Sequence, residues 1–234
     1  MERKKNIIIS ADDFGLNQKS NRNILDLAQS GKLDRVAVMA FGNFSQEEID
    51  AILKTGVKLD IHLHLERLNP DGFKNLGVYQ SLPRRIMNFL KLFVGRGGIG
   101  KVKDEWQAEL DEFRRVFGRN PDGINSHEHI HFFPPFFRLA LEFQKELSLP
   151  YFRLGEKGVA GGSVIAIILK ALSCHDRKIL KNEKLALPTS DYFVSFDWLS
   201  DPPVFMEKIP DNTSMEILFH PMRDGEYEFL KKNL

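Results

Sequence analysis

NIIISADDFG (Asn6–Gly15) is an apolar run that ends abruptly in two carboxylates. Its three consecutive isoleucines read best as a short buried strand. Asp12 and Asp13 follow, and a helical pattern comes next over Gln18–Ser30, with Ile24, Leu25, Leu27 and Ala28 as its apolar positions and Gly31 as its stop. Taken alone, DDFG suits an aspartate-rich turn before a helix. What changes that reading is that the same arrangement recurs along the chain.

Further strands are expected at RVAVMA (35–40), at the alternating VKLDIHLHL (57–65), at DGINSH (122–127), at PYFRL (150–154), at DYFVSF (191–196) and at MEILFH (215–220). Between them lie helical patterns. SQEEIDAILKTG (45–56) places Glu48 three residues after Ser45, a capping-box spacing, and ends at Gly56. Others cover Lys103–Phe117, Pro134–Leu147, Ser163–Cys174 and the region near Pro202–Ile209. Strands alternating with helices argue for an α/β fold with a mostly parallel sheet. Their number fits a distorted (β/α) barrel better than a short doubly wound sheet, and with no linker or repeat in sight residues 1–234 read as a single domain. Residues 66–100 break the rhythm with Pro70, Asp71-Gly72, Gly77 and GRGG. An irregular stretch of this length suits a functional loop or lid, with a short helix near Leu82–Phe93 behind Pro83.

Composition narrows the class. The chain has 33 basic and 32 acidic residues, a net charge of +1, so no global field draws it to nucleic acid or an anionic membrane. Cys174 is the one cysteine, which removes a disulfide framework and fits a reducing cytoplasm. The basic start MERKK leads into too short an apolar run for a signal-peptide core. The longest apolar stretch, VAGGSVIAIILKALS (159–173), is interrupted by Lys170 and falls short of the ~20 residues needed to span a bilayer. A soluble cytoplasmic protein is expected, with no nucleic-acid or membrane partner and with homodimer formation left open.

In parallel barrels, chemistry sits at the carboxyl ends of the strands. Here those ends carry Asp12 and Asp13, His62 and His64, Ser126 and His127, Arg153, and His220 before Pro221. One such ending is unremarkable; five converging on one edge make a catalytic rim. GINSHEHIHF (123–132) adds His127, His129 and His131 at every second residue. If extended, that segment points all three imidazoles one way, which suits a divalent metal or acid/base work near neutral pH. A solvated edge strand is the plainer alternative. The H-x-H pair His62 and His64 is equally readable as two satisfied histidines in a half-buried strand. His175 and Cys174 are given no role.

Taken in order, IISADDFGLN, IHLHLE, INSHEHIHFFP, FRLGE, TSDYFVSF and EILFHP resemble the YdjC-like carbohydrate deacetylase family, over most of the chain. The resemblance implies a distorted (β/α) barrel related to polysaccharide deacetylases. It implies one divalent ion, magnesium or zinc, held by Asp13, His62 and His127. It implies Asp12 as catalytic base, His220 as the acid on the opposite side, and Arg153 as a group that orients the base or binds substrate. The reaction implied is removal of the acetyl group from an N-acetylated amino sugar or chito-oligosaccharide. Two positions depart from the family's pattern: Asp60 stands where glycine is usual, and His64 where histidine is uncommon. The roles of His64, His129 and His131 stay open.

Two other readings compete. A metal-dependent barrel amidohydrolase or phosphoesterase would use the same residue types, but such enzymes usually carry H-x-H on the first strand and often bind two metals. A non-catalytic sugar- or metal-binding barrel would have no need of a base such as Asp12 beside the metal.

Overall fold

The isoleucine run does form a strand. The computed structural model describes residues 6–65 and 98–233, and in it β1 spans Ile7–Phe14 with every residue except Ile8 buried. Among the described residues six more strands join it in one sheet: β2 (Arg35–Val38), β3 (Lys58–Leu63), β4 (Gly123–Ser126), β5 (Gly158–Val159), β6 (Tyr192–Ser195) and β7 (Met215–Phe219). Every pairing is parallel, and the order is β4-β3-β2-β1-β7-β6-β5. This is chain order read around a ring, not the reversing order of a doubly wound sheet. The sheet curls into a half-barrel.

Helices cross between the strands: α1 (Gln18–Gln29), α2 (Gln46–Thr55), α3 (Gly98–Phe117), α4 (Pro134–Leu147), α5 (Val164–Asn182), α6 (Pro202–Glu207) and α7 (Asp224–Asn233). The capping box at Ser45 and Glu48 is made in both directions, and Gly56 closes α2 in the left-handed conformation. Trp106, Leu110, Phe113 and Phe117 of α3 are buried, as are Phe136, Phe137 and Phe143 of α4. Each such side chain contributes about 1.5–3 kcal/mol by leaving water.

Three expectations need correction. The strand expected over Pro150–Leu154 makes a single parallel bridge, Phe152 to Ile124. Arg153 turns its side chain inward and is fully buried. Gly155 then adopts φ +83, and a Cβ there would collide with the Gly158 carbonyl oxygen. The chain bends there, and pairing resumes only at β5. Even so, this segment hydrogen-bonds to β4 on one side and to the residues just before β6 on the other. Ile124 N–H donates to the Tyr151 carbonyl at 3.1 Å, while Phe152 and Glu156 N–H donate to the Pro188 and Ser190 carbonyls, both at 2.8 Å.

Second, β4 stops at Ser126, and His127–Phe132 forms 3₁₀ turns in which Glu128 and His129 have left-handed backbones, φ 52 and 56. The three alternate histidines therefore do not share a face. Third, α5 runs past Cys174 to Asn182 and carries the exposed His175 on a regular helix. The expected Leu82–Phe93 helix and the lid fall almost wholly outside the described residues; Gly98–Gly100 belong to α3.

Asp176, on the inner face of α5, is fully buried, and among the described residues neither carboxylate oxygen has a hydrogen-bond partner. Burial pushes its acid up to about 8, against a smaller pull from Arg177. An unfolded aspartate titrates at ~3.9, so the folded chain holds the extra proton between those values and loses stability as pH rises through that window. Asp176→Asn is expected to stabilise the protein by about 2 kcal/mol at the alkaline end, with the gain fading toward the acid end. Urea unfolding at both ends of the window checks this; an equal effect at both would contradict it.

Candidate metal centre at the strand ends

Asp12 and Asp13 are adjacent yet face different partners, and the cause is local. The register of β1 against β2 shifts between Ala11 and Phe14, a bulge, and Asp13 has φ 72. Left-handed backbone costs a non-glycine residue about 1–3 kcal/mol and persists where surroundings enforce it. Here Ser20 Oγ and Leu16 N–H both donate to the Asp13 carbonyl, at 2.8 and 3.2 Å. Gly15 N–H donates to Asn21 Oδ1 at 2.7 Å. Gly15 itself needs φ +102, and a Cβ there would meet the Phe44 ring at 2.9 Å.

Asp13 Oδ1 lies 3.5 Å from His62 Nε2 and 3.6 Å from His127 Nδ1. It is buried and accepts no hydrogen bond among the described residues. A carboxylate oxygen left so would cost about 1–3 kcal/mol or more, a penalty that a cation in the gap removes. One donor atom from each of Asp13, His62, His64 and His127 falls within 4.8 Å of the others. Ions with ligand distances of ~2.0–2.1 Å hold their ligands roughly 3.3–4.2 Å apart, so the set needs only slight contraction to close on a metal. His62 is oriented for this, since Nδ1–H donates to Asn125 Oδ1 at 2.5 Å and the Nε2 lone pair faces Asp13. Asn125 sits directly opposite His62 in the β3–β4 register.

Electrostatics agree with the geometry. Burial alone would raise the Asp13 acid, but His127 and His62 hold it well below the usual carboxylate range. Burial lowers His127, and Asp13 more than reverses that. Burial holds His64 well below the ordinary imidazole value, so it is neutral and able to donate a lone pair.

Asp12 points the other way, into the barrel. Arg153 grips both its oxygens, at 2.8 and 2.9 Å, and both side chains are buried. Arg153 Nε donates to Glu216 Oε1 at 2.7 Å, and Glu216 also accepts from Ser10 Oγ and Tyr151 OH, each at 2.7 Å. Burial raises the Asp12 acid, and Arg153 together with His62 and His220 more than reverses that, so the acid lies below its ordinary value and is ionised at neutral pH. Asp12 Oδ2 is 3.8 Å from His62 Nδ1, on the side away from the metal-facing nitrogen. Asp60, at the unusual position on β3, is accommodated by Gly123 beside it and neutralised by Arg35 through two hydrogen bonds of 2.9 and 2.5 Å.

His220 follows β7. Its backbone N–H donates to Glu226 Oε2 at 2.6 Å, and its Nδ1 lies 3.7 Å from the same oxygen. Burial lowers its basicity, and Glu226 raises it to a net value above ordinary histidine. Of the other histidines in the middle segment, His131 is structural: Nδ1 meets Ser126 Oγ at 2.6 Å and Nε2 meets the Arg153 carbonyl at 2.8 Å. Burial takes it down to about 3. His129 packs edge-on against Phe193 and Trp198 and does not join the metal-ligand group. The sequence singled out Asp12, Asp13, His62, His127, Arg153 and His220, and all six gather at this end of the sheet. It left His64 without a role and missed Asn125 and Glu216; a glutamate within the apolar strand MEILF was the available signal for the last.

A curled parallel sheet with one carboxylate and three imidazoles collected at its carboxyl edge defines an α/β half-barrel with a candidate divalent-metal centre. The chain belongs to the YdjC-like protein family, whose sequence profile matches residues 6–232. A carbohydrate deacetylase of Mus musculus is 21% identical over 185 residues, which are 72% of this chain and 56% of the relative. A chitooligosaccharide deacetylase of Serratia marcescens is 29% identical over 152 residues, 63% of this chain and 58% of the relative. The matches thus span a little over half the length of these relatives. A solved structure from Enterococcus faecalis, with a provisional cellobiose-phosphate cleavage name, superposes with TM-score 0.62 at 17% identity, over 99% of this chain and 92% of the other. That likeness supports the fold. Among the described residues, no helix is long and apolar enough to cross a membrane.

Proposed function

We propose that this chain is a metal-dependent carbohydrate deacetylase, one domain acting on an N-acetylated amino sugar or chito-oligosaccharide. The observation that carries the reading is the pair of adjacent aspartates. Asp13 faces two imidazoles with an unsatisfied buried oxygen, while Asp12 is held ionised by Arg153 a few ångströms away. Asp13, His62 and His127 would hold the ion, which supplies a Lewis acid for the acetyl carbonyl and for water. Asp12 accepts the proton of the attacking water. Arg153, anchored on Glu216, keeps that carboxylate ionised and stops it turning toward the metal ligands. His220, its proton stabilised by Glu226, protonates the departing amine so that acetate and free amine result. The family match and the relatives' names support the substrate class, and the lone Cys174 supports a cytoplasmic location. A barrel phosphoesterase with two metals is less well supported, because the described residues group into one ligand cluster, with Asp-Asp on β1 and H-x-H at the carboxyl end of β3.

Release of acetate from a panel of N-acetylated sugars tests this, with free amine counted in parallel. Equal amounts of acetate and amine from at least one sugar are expected. Release of phosphate from sugar phosphates with no acetate from any sugar would overturn it. His127→Ala is expected to reduce bound metal to well under one equivalent per chain. Unchanged metal content by elemental analysis would remove His127 from the ligand set.

A further inference from the structure

We infer that His64 is a fourth protein ligand, making the centre a three-imidazole, one-carboxylate site suited to zinc, cobalt or nickel rather than to magnesium. The inference rests on the metal reading above and extends it to a residue and to a class of ion.

His62 is the second-last residue of β3 and His64 the first residue past its end, where the chain keeps the two imidazoles together. The two rings stand nearly perpendicular with centroids 4.8 Å apart. On its other side His64 stacks on His127, at 4.9 Å and 17° between planes. One nitrogen of His64 falls within the same 4.8 Å set as the donor atoms of Asp13, His62 and His127. Its Nδ1–H donates to the His62 carbonyl at 2.6 Å, which leaves Nε2 as the nitrogen that carries the lone pair.

The backbone at this point is clamped although the strand has ended. His64 N–H donates to both carboxylate oxygens of Glu109, at 2.9 and 3.1 Å, and the His64 carbonyl accepts Trp106 Nε1–H at 2.9 Å. Glu109 and Trp106 are one turn apart on α3, and both are buried. A buried carboxylate committed to a backbone amide, with an indole closing the other side, fixes the imidazole as a rigid element.

Donor chemistry sets the ion. Magnesium takes oxygen ligands and keeps several waters, whereas imidazole suits zinc, cobalt and nickel. Four protein ligands leave room for water and substrate only if the ion becomes five- or six-coordinate, which these ions allow.

The test counts imidazoles with Cu²⁺ as probe. Pulsed electron paramagnetic resonance of the Cu²⁺-loaded protein is expected to show three coordinated imidazoles in the wild type and two in His64→Asn. The variant should also bind Zn²⁺ at least about 100-fold more weakly, since loss of even an outer partner costs 10–100-fold. Two imidazoles in the wild type, or wild-type Zn²⁺ affinity in a folded His64→Asn, would overturn the inference while leaving the three-ligand reading intact. Failure of the wild type to bind Cu²⁺ or Zn²⁺ at all would overturn both. The wild-type count does not depend on the variant folding.

Discussion

Asp12→Asn is expected to lower turnover by about 10²–10⁴-fold while the protein still takes up its metal. The substitution keeps the shape of the side chain and one acceptor for Arg153, so the buried pairing is weakened rather than lost. What disappears is the basic oxygen. Asp12 lies outside the group of converging ligand atoms, with His62 presenting it only the nitrogen already bound to Asn125. Metal content by elemental analysis and kcat on the same preparation separate the two effects. A near-normal rate on an established substrate would show that another group is the base; lost metal would show that Asp12 helps hold the ion.

The largest stability effect is expected at Arg153. Arg153→Met leaves Asp12 and Glu216 buried without their shared cation, and breaking a buried pair in this way costs about 3–5 kcal/mol. Set against a typical total of about 5–15 kcal/mol, that is a large share. Arg153→Lys is expected to recover only part of it, because an ammonium lacks the fork that reaches both Asp12 oxygens and Glu216 together. Activity should fall in both variants with a shifted acid limb. Without Arg153, burial counts for more at Asp12 and raises its pKa, so the proposed base is protonated at higher pH. Urea unfolding with a pH–rate profile checks this. A loss of under about 1 kcal/mol with an unmoved profile would contradict it.

The parallel α/β character was readable because each apolar strand is short and each helix carries its own start and stop, as at Ser45, Glu48 and Gly56. The place of the candidate site was readable for the same reason: in this fold, the last residues of each strand and those just past them gather at one edge. The failures share a physical cause. PYFRL has the composition of a strand, yet Arg153 is drawn inward by Asp12 and Glu216, residues distant in sequence, and Gly155 bends the chain. The alternating histidines after Asn125 have the spacing of a strand, but left-handed Glu128 and His129 send them three ways. That backbone reversal has no glycine to announce it. His64 could be seen but not placed, because what fixes it is Trp106 and Glu109, more than forty residues away on α3.

One measurement bears on the centre of the account: titrating a chelator-stripped preparation with zinc or cobalt while following acetate release and metal content together. Activity should be absent after stripping, rise in proportion to metal bound, and level off at one equivalent per chain. Acetate release that survives stripping, or that requires a second equivalent for full rate, would contradict a single-metal deacetylase at Asp13, His62 and His127.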